Sequence, residues 1–307
     1  MDELAKAVEG VIGRCLGVRA GEQVTVVADR GTAAVGEALR AGAVAAGAET
    51  VLTVMEPRTV DGEEPPAAVA AALLESQVFI APTSKSLSHT RARKAASDRG
   101  ARGATLPGVT ADMLGRLMAV DLEALQRRSR ALAELLTAAD EAHFTCPRGS
   151  DLRLDLKGRD GMPDDGDLSA PGAFGNLPCG EGFISPLGGE GRFYAASLRP
   201  TADGEGMFTV QDGRVTAADD RVLAALTGAG ELGTNLAELG IGTNDAATMT
   251  GNVLEDEKIL GSVHIAFGAS AGIGGTVSVP VHLDFVVLEP TLDIGGTRVI
   301  EAGRFLL

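Results

Sequence analysis

Two short runs hold most of the chemistry this chain could do: Val263-His264-Ile265-Ala266-Phe267-Gly268 and Val281-His282-Leu283-Asp284-Phe285. The sequence contains four histidines, and two of them stand here. Both runs alternate with the period of a strand. Val263, Ile265 and Phe267 share one face, with His264 and Ala266 on the other. Val281, Leu283 and Phe285 form the apolar face of the second run, and His282 and Asp284 lie side by side opposite. Two imidazoles and a carboxylate on strands with apolar backs make the donor set of a metal site. Acids elsewhere in the second half extend that set. Glu181 follows the tight turn Pro178-Cys179-Gly180, Glu238 interrupts the apolar run Leu236-Ala237-Glu238-Leu239, and Glu257 precedes His264 by seven residues. Imidazoles with several carboxylates suit zinc, cobalt, manganese or iron. Three or more carboxylates leave room for two ions, which together activate water and polarise a carbonyl.

Plainer readings compete for each residue. A lone histidine on a strand is more often a satisfied core residue, and it is the nearby His282-x-Asp284 that tips His264 toward metal. Glu257 stands in Glu255-Asp256-Glu257-Lys258, a charged run that would ordinarily be solvated. Asp293 reads as a turn residue and His143 as structural. Gly272-Ile273-Gly274-Gly275 neither opens a helix nor has G-x-G-x-x-G spacing, so it reads as a loop and not a phosphate cradle.

The elements that must position these groups fall into two halves. An amphipathic helix is expected over 3–16, then strand 23–29, helix 32–46 and strand 51–55, an order that predicts a parallel sheet. A Pro-bearing loop over 56–66 leads to a helix at 67–75, strand 78–81, a basic helix at 91–99, strand 104–107 and helices at 111–118 and 121–141. The polar segment Pro82 to Thr90 follows a strand's C-terminal end, where open α/β sheets commonly bind ligands. From 142 the pattern changes to strands at 142–146 and 151–157, an acidic turn-rich loop over 160–166 and a run of short β segments. Helices are expected at 222–226 and 236–239. The boundary is placed near 141. Residues 1–141 should form a three-layer, Rossmann-like α/β domain, and residues 142–307 a β-rich, partly barrel-like metal-binding domain.

Composition narrows the partners. Hydrophobic residues are 45% of the chain, Trp is absent and Tyr occurs once, an ordinary globular composition. The net charge of −15 argues against nucleic acid and against anionic membrane surfaces. Cys15, Cys146 and Cys179 form no C-x-x-C pair, which suggests neither a disulfide framework nor a zinc ribbon. The start Met1-Asp2-Glu3-Leu4-Ala5-Lys6 is polar with no signal-peptide core, and no apolar run reaches membrane-spanning length, so the cytoplasm is the expected location.

Several motifs, in order, resemble the thermophilic metallo-aminopeptidase family of the aminopeptidase T and aminopeptidase S type. They are Asn176-Leu177-Pro178-Cys179-Gly180-Glu181, Ala237-Glu238-Leu239-Gly240, Asp256-Glu257-Lys258, His264-Ile265-Ala266-Phe267-Gly268 and His282-Leu283-Asp284. The resemblance implies a dinuclear metalloprotease-type hydrolase that releases N-terminal amino acids. Glu181, Glu238, Glu257, His264, His282 and Asp284 would be ligands to two zinc, cobalt or manganese ions. Glu238 would bridge the ions, and Glu181 would serve as an alternative general base. It also implies a homodimer whose pocket is closed by the N-terminal domain, where Lys85, His89 and Arg91 would meet a peptide or small-molecule substrate. Two features depart from the family: it is about a hundred residues longer, and it carries a Tyr where this chain has Ala271. The chain also resembles, more distantly, a 2,5-dihydroxypyridine 5,6-dioxygenase, which holds one Fe(II) by two His and one Asp. His264, His282 and Asp284 match that triad. Retention of Glu181, Glu238 and Glu257 favours the two-ion hydrolase. The remaining expectation is a non-catalytic binding protein that keeps the metal for stability.

Overall fold

The computed structural model describes residues 3–307. Met1 and Asp2, the first residues of the polar start, lie outside the described residues. The chain resolves into two compact units. The first holds residues up to Leu122 together with Gly166–Cys179, and the second holds Glu123–Asp165 and Gly180–Leu307. The crossover thus falls before the long helix and not near 141. That helix sends Leu132 and Leu136 into the second unit's core, which is why it belongs there.

Along the chain, helix α1 (Glu3–Glu9) runs on into a π-helical turn, Gly10–Cys15. Then come β1 (Gln23–Asp29), α2 (Ala33–Ala45), β2 (Glu49–Met55), α3 (Ala67–Leu74), β3 (Val78–Ala81), α4 (Arg91–Asp98), β4 (Arg102–Thr105) and α5 (Ala111–Leu117). Helix α6 (Leu122–Ala138) leads to β5 (Glu141–Thr145), β6 (Asp151–Asp155) and β7 (Met162–Asp164). The chain then returns to the first unit for β8 (Phe174–Asn176). The second unit resumes with β9 (Glu181–Ile184), β10 (Gly188–Ala195), β11 (Gly206–Gln211), β12 (Arg214–Ala217), α7 (Asp220–Gly228), β13 (Leu236–Gly242) and α8 (Val253–Asp256). It closes with β14 (Val263–Gly268), β15 (His282–Val287), β16 (Thr291–Ile294), β17 (Thr297–Glu301) and β18 (Arg304–Phe305).

In the first unit, five parallel strands take the order β2-β1-β3-β4-β8. Apolar side chains point from both faces of this sheet, as a parallel sheet sandwiched between helices requires. Val27, Phe79 and Ala81 pack with Val69 and Leu73 of α3 and Ala96 of α4. On the opposite face α2 lies so close that a Cβ on Gly36 would come within 2.8 Å of Ala28 Cβ. A buried ion pair ties this unit together: Arg102 donates to both oxygens of Glu22, at 3.0 and 2.7 Å.

The second unit is two antiparallel sheets. Eight strands run β12-β11-β10-β6-β5-β16-β17-β18, and five run β15-β14-β13-β9-β7. One core joins the sheets and α6. Phe193, Phe208, Phe267 and Phe285 sit at its centre, with successive ring centroids 4.5–6.3 Å apart. Each such ring contributes about 1.5–3 kcal/mol by leaving water. The expected helix at 236–239 is part of strand β13. A short run that is apolar on both sides fits a buried strand as well as a helix, and pairing with β9 and β14 decides it.

Candidate metal centre

The five-stranded sheet turns Leu239, Ile241, Ile265, Phe267 and Phe285 toward the core. Its other face carries the polar groups, because side chains alternate along each strand. Glu181 stands opposite Asp164 of β7 and Gly242 of β13. His264 of β14 pairs with Gly240, Ala266 with Asp284, and Gly268 with His282. A register shift between Leu236 and Glu238 accompanies the turn of Glu238 toward the imidazoles. Two glycines make the arrangement possible. Gly180 has φ +137, a conformation open to glycine, directly before Glu181. At Gly240 a Cβ would lie 1.9 Å from His264 Nε2, so only glycine leaves room for the ring.

Two groups of donors result, each with its atoms within 4.8 Å of one another: Glu181, Glu238 and His264, and Glu238, His282 and Asp284. Glu238 belongs to both. Its Oε1 is 3.4 Å from His264 Nε2 and its Oε2 is 3.2 Å from His282 Nε2. Glu181 Oε2 is 3.0 Å from His264 Nε2, and Asp284 Oδ1 is 3.4 Å from His282 Nε2. His282 Nδ1 lies 2.7 Å from the Ala269 carbonyl, which fixes the proton there and leaves Nε2 facing the carboxylates.

Sequence reasoning missed two members of the cluster. Lys258 is fully buried, and its Nζ lies 2.8 Å from Glu257, 3.0 Å from Glu181 and 3.3 Å from Asp164. The acidic loop expected at 160–166 hid strand β7 and its Asp164, and the run Glu255–Lys258, which resembled a solvated face, is buried. An acid-Lys pair in a run ending on an apolar strand was the one available signal. Glu257 enters neither donor group, because Lys258 holds its Oε1.

The electrostatics follow from burial and these neighbours. Burial pushes Asp164 up to about 7 and Glu257 up to about 8, against the pull of Lys258. Burial also works to raise Glu181 and Glu238, but Lys258 and His264 hold Glu181, and the two imidazoles hold Glu238, below the usual carboxylate value. Desolvation opposes charging of His264 and His282, yet the surrounding carboxylates carry both well above the ordinary histidine range. With both imidazoles neutral, as metal ligation requires, and the five carboxylates (Asp164, Glu181, Glu238, Glu257 and Asp284) ionised, the one ammonium of Lys258 would leave four negative charges to balance. Glu181 Oε2, Asp164 Oδ2 and His264 Nδ1 are buried without a hydrogen bond. Oxygen and nitrogen atoms that converge without aligned hydrogen bonds are suited to metal ions, whose charge would take the place of the imidazole protons.

The other candidates lie elsewhere. Lys85, His89 and Arg91 belong to the first unit. Lys85 faces Asp61 at 3.6 Å, Arg91 faces Glu64 at 3.2 Å, and His89 is exposed. Tyr194 is bound to Arg148 on strand β10, and Ala271 donates its N–H to the Val277 carbonyl in the β14–β15 connection. Asp293, expected in a turn, lies in β16 and pairs with Arg298.

The sequence profile of the NicX family, 2,5-dihydroxypyridine 5,6-dioxygenase, matches residues 3–192. No curated protein sequence matches the chain significantly. Among solved structures, the 2,5-dihydroxypyridine dioxygenase from Pseudomonas putida KT2440 superposes with a TM-score of 0.82 at 17% identity, covering 99% of this chain and 96% of that one. AmpT from Thermus thermophilus superposes with a TM-score of 0.71 at 21% identity, covering 99% of both. At these identities the likeness establishes the fold. No helix among the described residues is long and apolar enough to cross a membrane.

Proposed function

The chain belongs to the 2,5-dihydroxypyridine 5,6-dioxygenase family, and within that fold we propose, from the geometry of the centre, that it is a metal-dependent enzyme whose centre takes two divalent ions and hydrolyses an N-terminal peptide bond or a related small amide. The family match spans Glu181 but ends before Glu238, His264, His282 and Asp284, so the chemistry is argued from the centre itself. One observation carries the reading: two donor groups share Glu238, with one of its oxygens turned to each imidazole. The charge balance supports it: with the imidazoles neutral as ligands and the five carboxylates ionised, two divalent ions would balance the four charges that Lys258 leaves.

Glu181, Glu238 and His264 would hold one ion, and Glu238, His282 and Asp284 the other. Zinc, cobalt or manganese suits this mixture of imidazole and carboxylate and, when bound, supplies an activated water and a polarised carbonyl. The chain's own groups do the rest. Ala269 orients His282 through Nδ1. Lys258 takes Oε1 of Glu181 and Oε1 of Glu257, which fixes both carboxylates and turns Glu181 Oε2 toward the ion site beside His264; as the alternative to ligation, that oxygen would accept a proton.

A second reading has its own support. His264, His282 and Asp284 by themselves form the two-imidazole, one-carboxylate set of a non-haem Fe(II) oxygenase, and the family is named for ring cleavage. The test is metal content of protein purified without chelators, with aminoacyl anilide hydrolysis and oxygen uptake on hydroxylated pyridines measured in parallel. Two divalent ions per chain with oxygen-independent hydrolysis is the expected result. One iron per chain, with oxygen consumption and no hydrolysis, would replace the first reading by the second. Tight metal with neither activity would leave a binding protein.

A further inference from the structure

The first unit contains an arginine with an unusual set of neighbours. Arg93 lies in the first turn of α4, where its backbone N–H reaches the side-chain oxygen of the N-cap Thr90. Its Nε donates to the Ser88 carbonyl at 2.8 Å, and its guanidinium carbon sits 3.9 Å from the centre of the Phe174 ring. Phe174 is backed in turn by Phe79, with centroids 6.3 Å apart. The fork is therefore held flat from one edge and one face. Neither terminal nitrogen of Arg93 has a hydrogen bond or ion pair among the described residues. Burial lowers its pKa from the usual arginine value, and Asp98 pulls the other way without offsetting it.

The neighbouring charges are already matched. Lys85 faces Asp61, Arg91 faces Glu64, and Asp98 of the same helix is taken by Lys94 at 2.7 Å. Arg93 is left as a half-buried cation of this segment with no hydrogen-bonded carboxylate, Asp98 acting on it only at longer range. Phe174 opens β8, and Asn176 and Thr105 close β8 and β4 at the C-terminal edge where parallel sheets bind ligands. Asn176 shares a face of β8 with Phe174. Its Oδ1 accepts from Thr105 at 2.7 Å and from Ser88 at 3.3 Å, which leaves the amide nitrogen as the available donor.

We propose that Arg93, held over Phe174 beside Asn176, is a subsite for the carboxylate of a small organic acid. A planar fork with two free N–H groups matches a carboxylate through two parallel hydrogen bonds. A single positive charge matches a monoanion better than phosphate. The subsite stands on the first unit alone and does not depend on the two-ion reading of the metal centre.

Full-length protein stripped of metal with a chelator, so that the centre contributes no anion binding, is titrated calorimetrically with benzoate and separately with inorganic phosphate. Benzoate should bind saturably, and phosphate at least tenfold more weakly. Arg93→Met should weaken benzoate at least tenfold, Arg93→Lys should fall between because it keeps the charge and loses the fork, and Lys94→Met should leave binding unchanged. Should Arg93→Met fail to fold, Arg93→Lys alone carries the test. No saturable benzoate binding, unchanged binding in the Arg93 variants, or a preference for phosphate would each overturn the proposal.

Discussion

Replacing Gly240 by Ala should disable the metal centre without touching a donor atom. The added Cβ would lie 1.9 Å from His264 Nε2, 2.1 Å from Cε1 and 2.8 Å from Cδ2, whereas ordinary contact begins at 3.4 Å. The ring would have to retreat by about 1.5 Å. His264 is 1% exposed, so that movement cannot be absorbed into solvent. A displacement of about 1 Å at a functional group commonly costs about 10²-fold. The expected loss in affinity for zinc or cobalt is therefore about 100-fold, or about 2.8 kcal/mol. Overpacking should remove a further 1–3 kcal/mol, roughly, from the stability of the metal-free protein. Equilibrium dialysis against a buffered metal series measures the first, and urea unfolding of the chelated protein the second. Gly228→Ala is the control: it ends α7, and a Cβ there meets nothing within 4 Å. Wild-type affinity and stoichiometry in Gly240→Ala would refute the reasoning, because the ring would then have another place to stand from which it still reaches the metal.

Two further outcomes follow from the buried ion pairs. Lys258→Met leaves Glu181, Glu257 and Asp164 without their shared ammonium, and breaking a buried pair in this way should destabilise the metal-free protein by about 3–5 kcal/mol, read by denaturant unfolding; a loss below 1 kcal/mol would mean that the acids are neutral without it. In the first unit, the Arg102 guanidinium holds Glu22 down at about 2 even though burial works the other way. A depressed carboxylate contributes its stability above the unfolded-state value and loses it as pH falls toward the folded one, so Glu22→Gln should cost about 3 kcal/mol at pH 7, with the difference from wild type shrinking between about pH 4.5 and 2. A difference that persists at pH 2 would assign the effect to packing instead.

Much of the first unit was legible because parallel strands announce themselves as short apolar runs between helices. The expected strands at 23–29 and 78–81 coincide with β1 and β3. What could not be read was β8, a three-residue edge strand whose only claim to the sheet is its pairing with β4. The alternation around His264 and His282 gave both strands and the side on which their polar groups lie, and Glu181 and Glu238 join them in space. Asp164 and Lys258 escaped for opposite reasons. Asp164 sits in a segment with turn composition, and Lys258 belongs to a charged run that is normally solvated. Lys258 lies 94 residues from Asp164 and 77 from Glu181, distances over which no periodicity carries information. Gly240 escaped as well, since a glycine in a strand shows its purpose only when the ring across from it is in place.

The chain enters the second unit after Leu122, returns to the first for Gly166–Cys179, and leaves it again at Gly180, one residue before Glu181. No single cut of the polypeptide can therefore yield both units whole. A fragment beginning anywhere in the long helix would carry away the first unit's edge strand, and one ending there would lack it. Isolating either unit whole takes more than one cut and a rejoining of the chain. The short return segment threads the candidate metal centre's half of the chain through the parallel sheet's half.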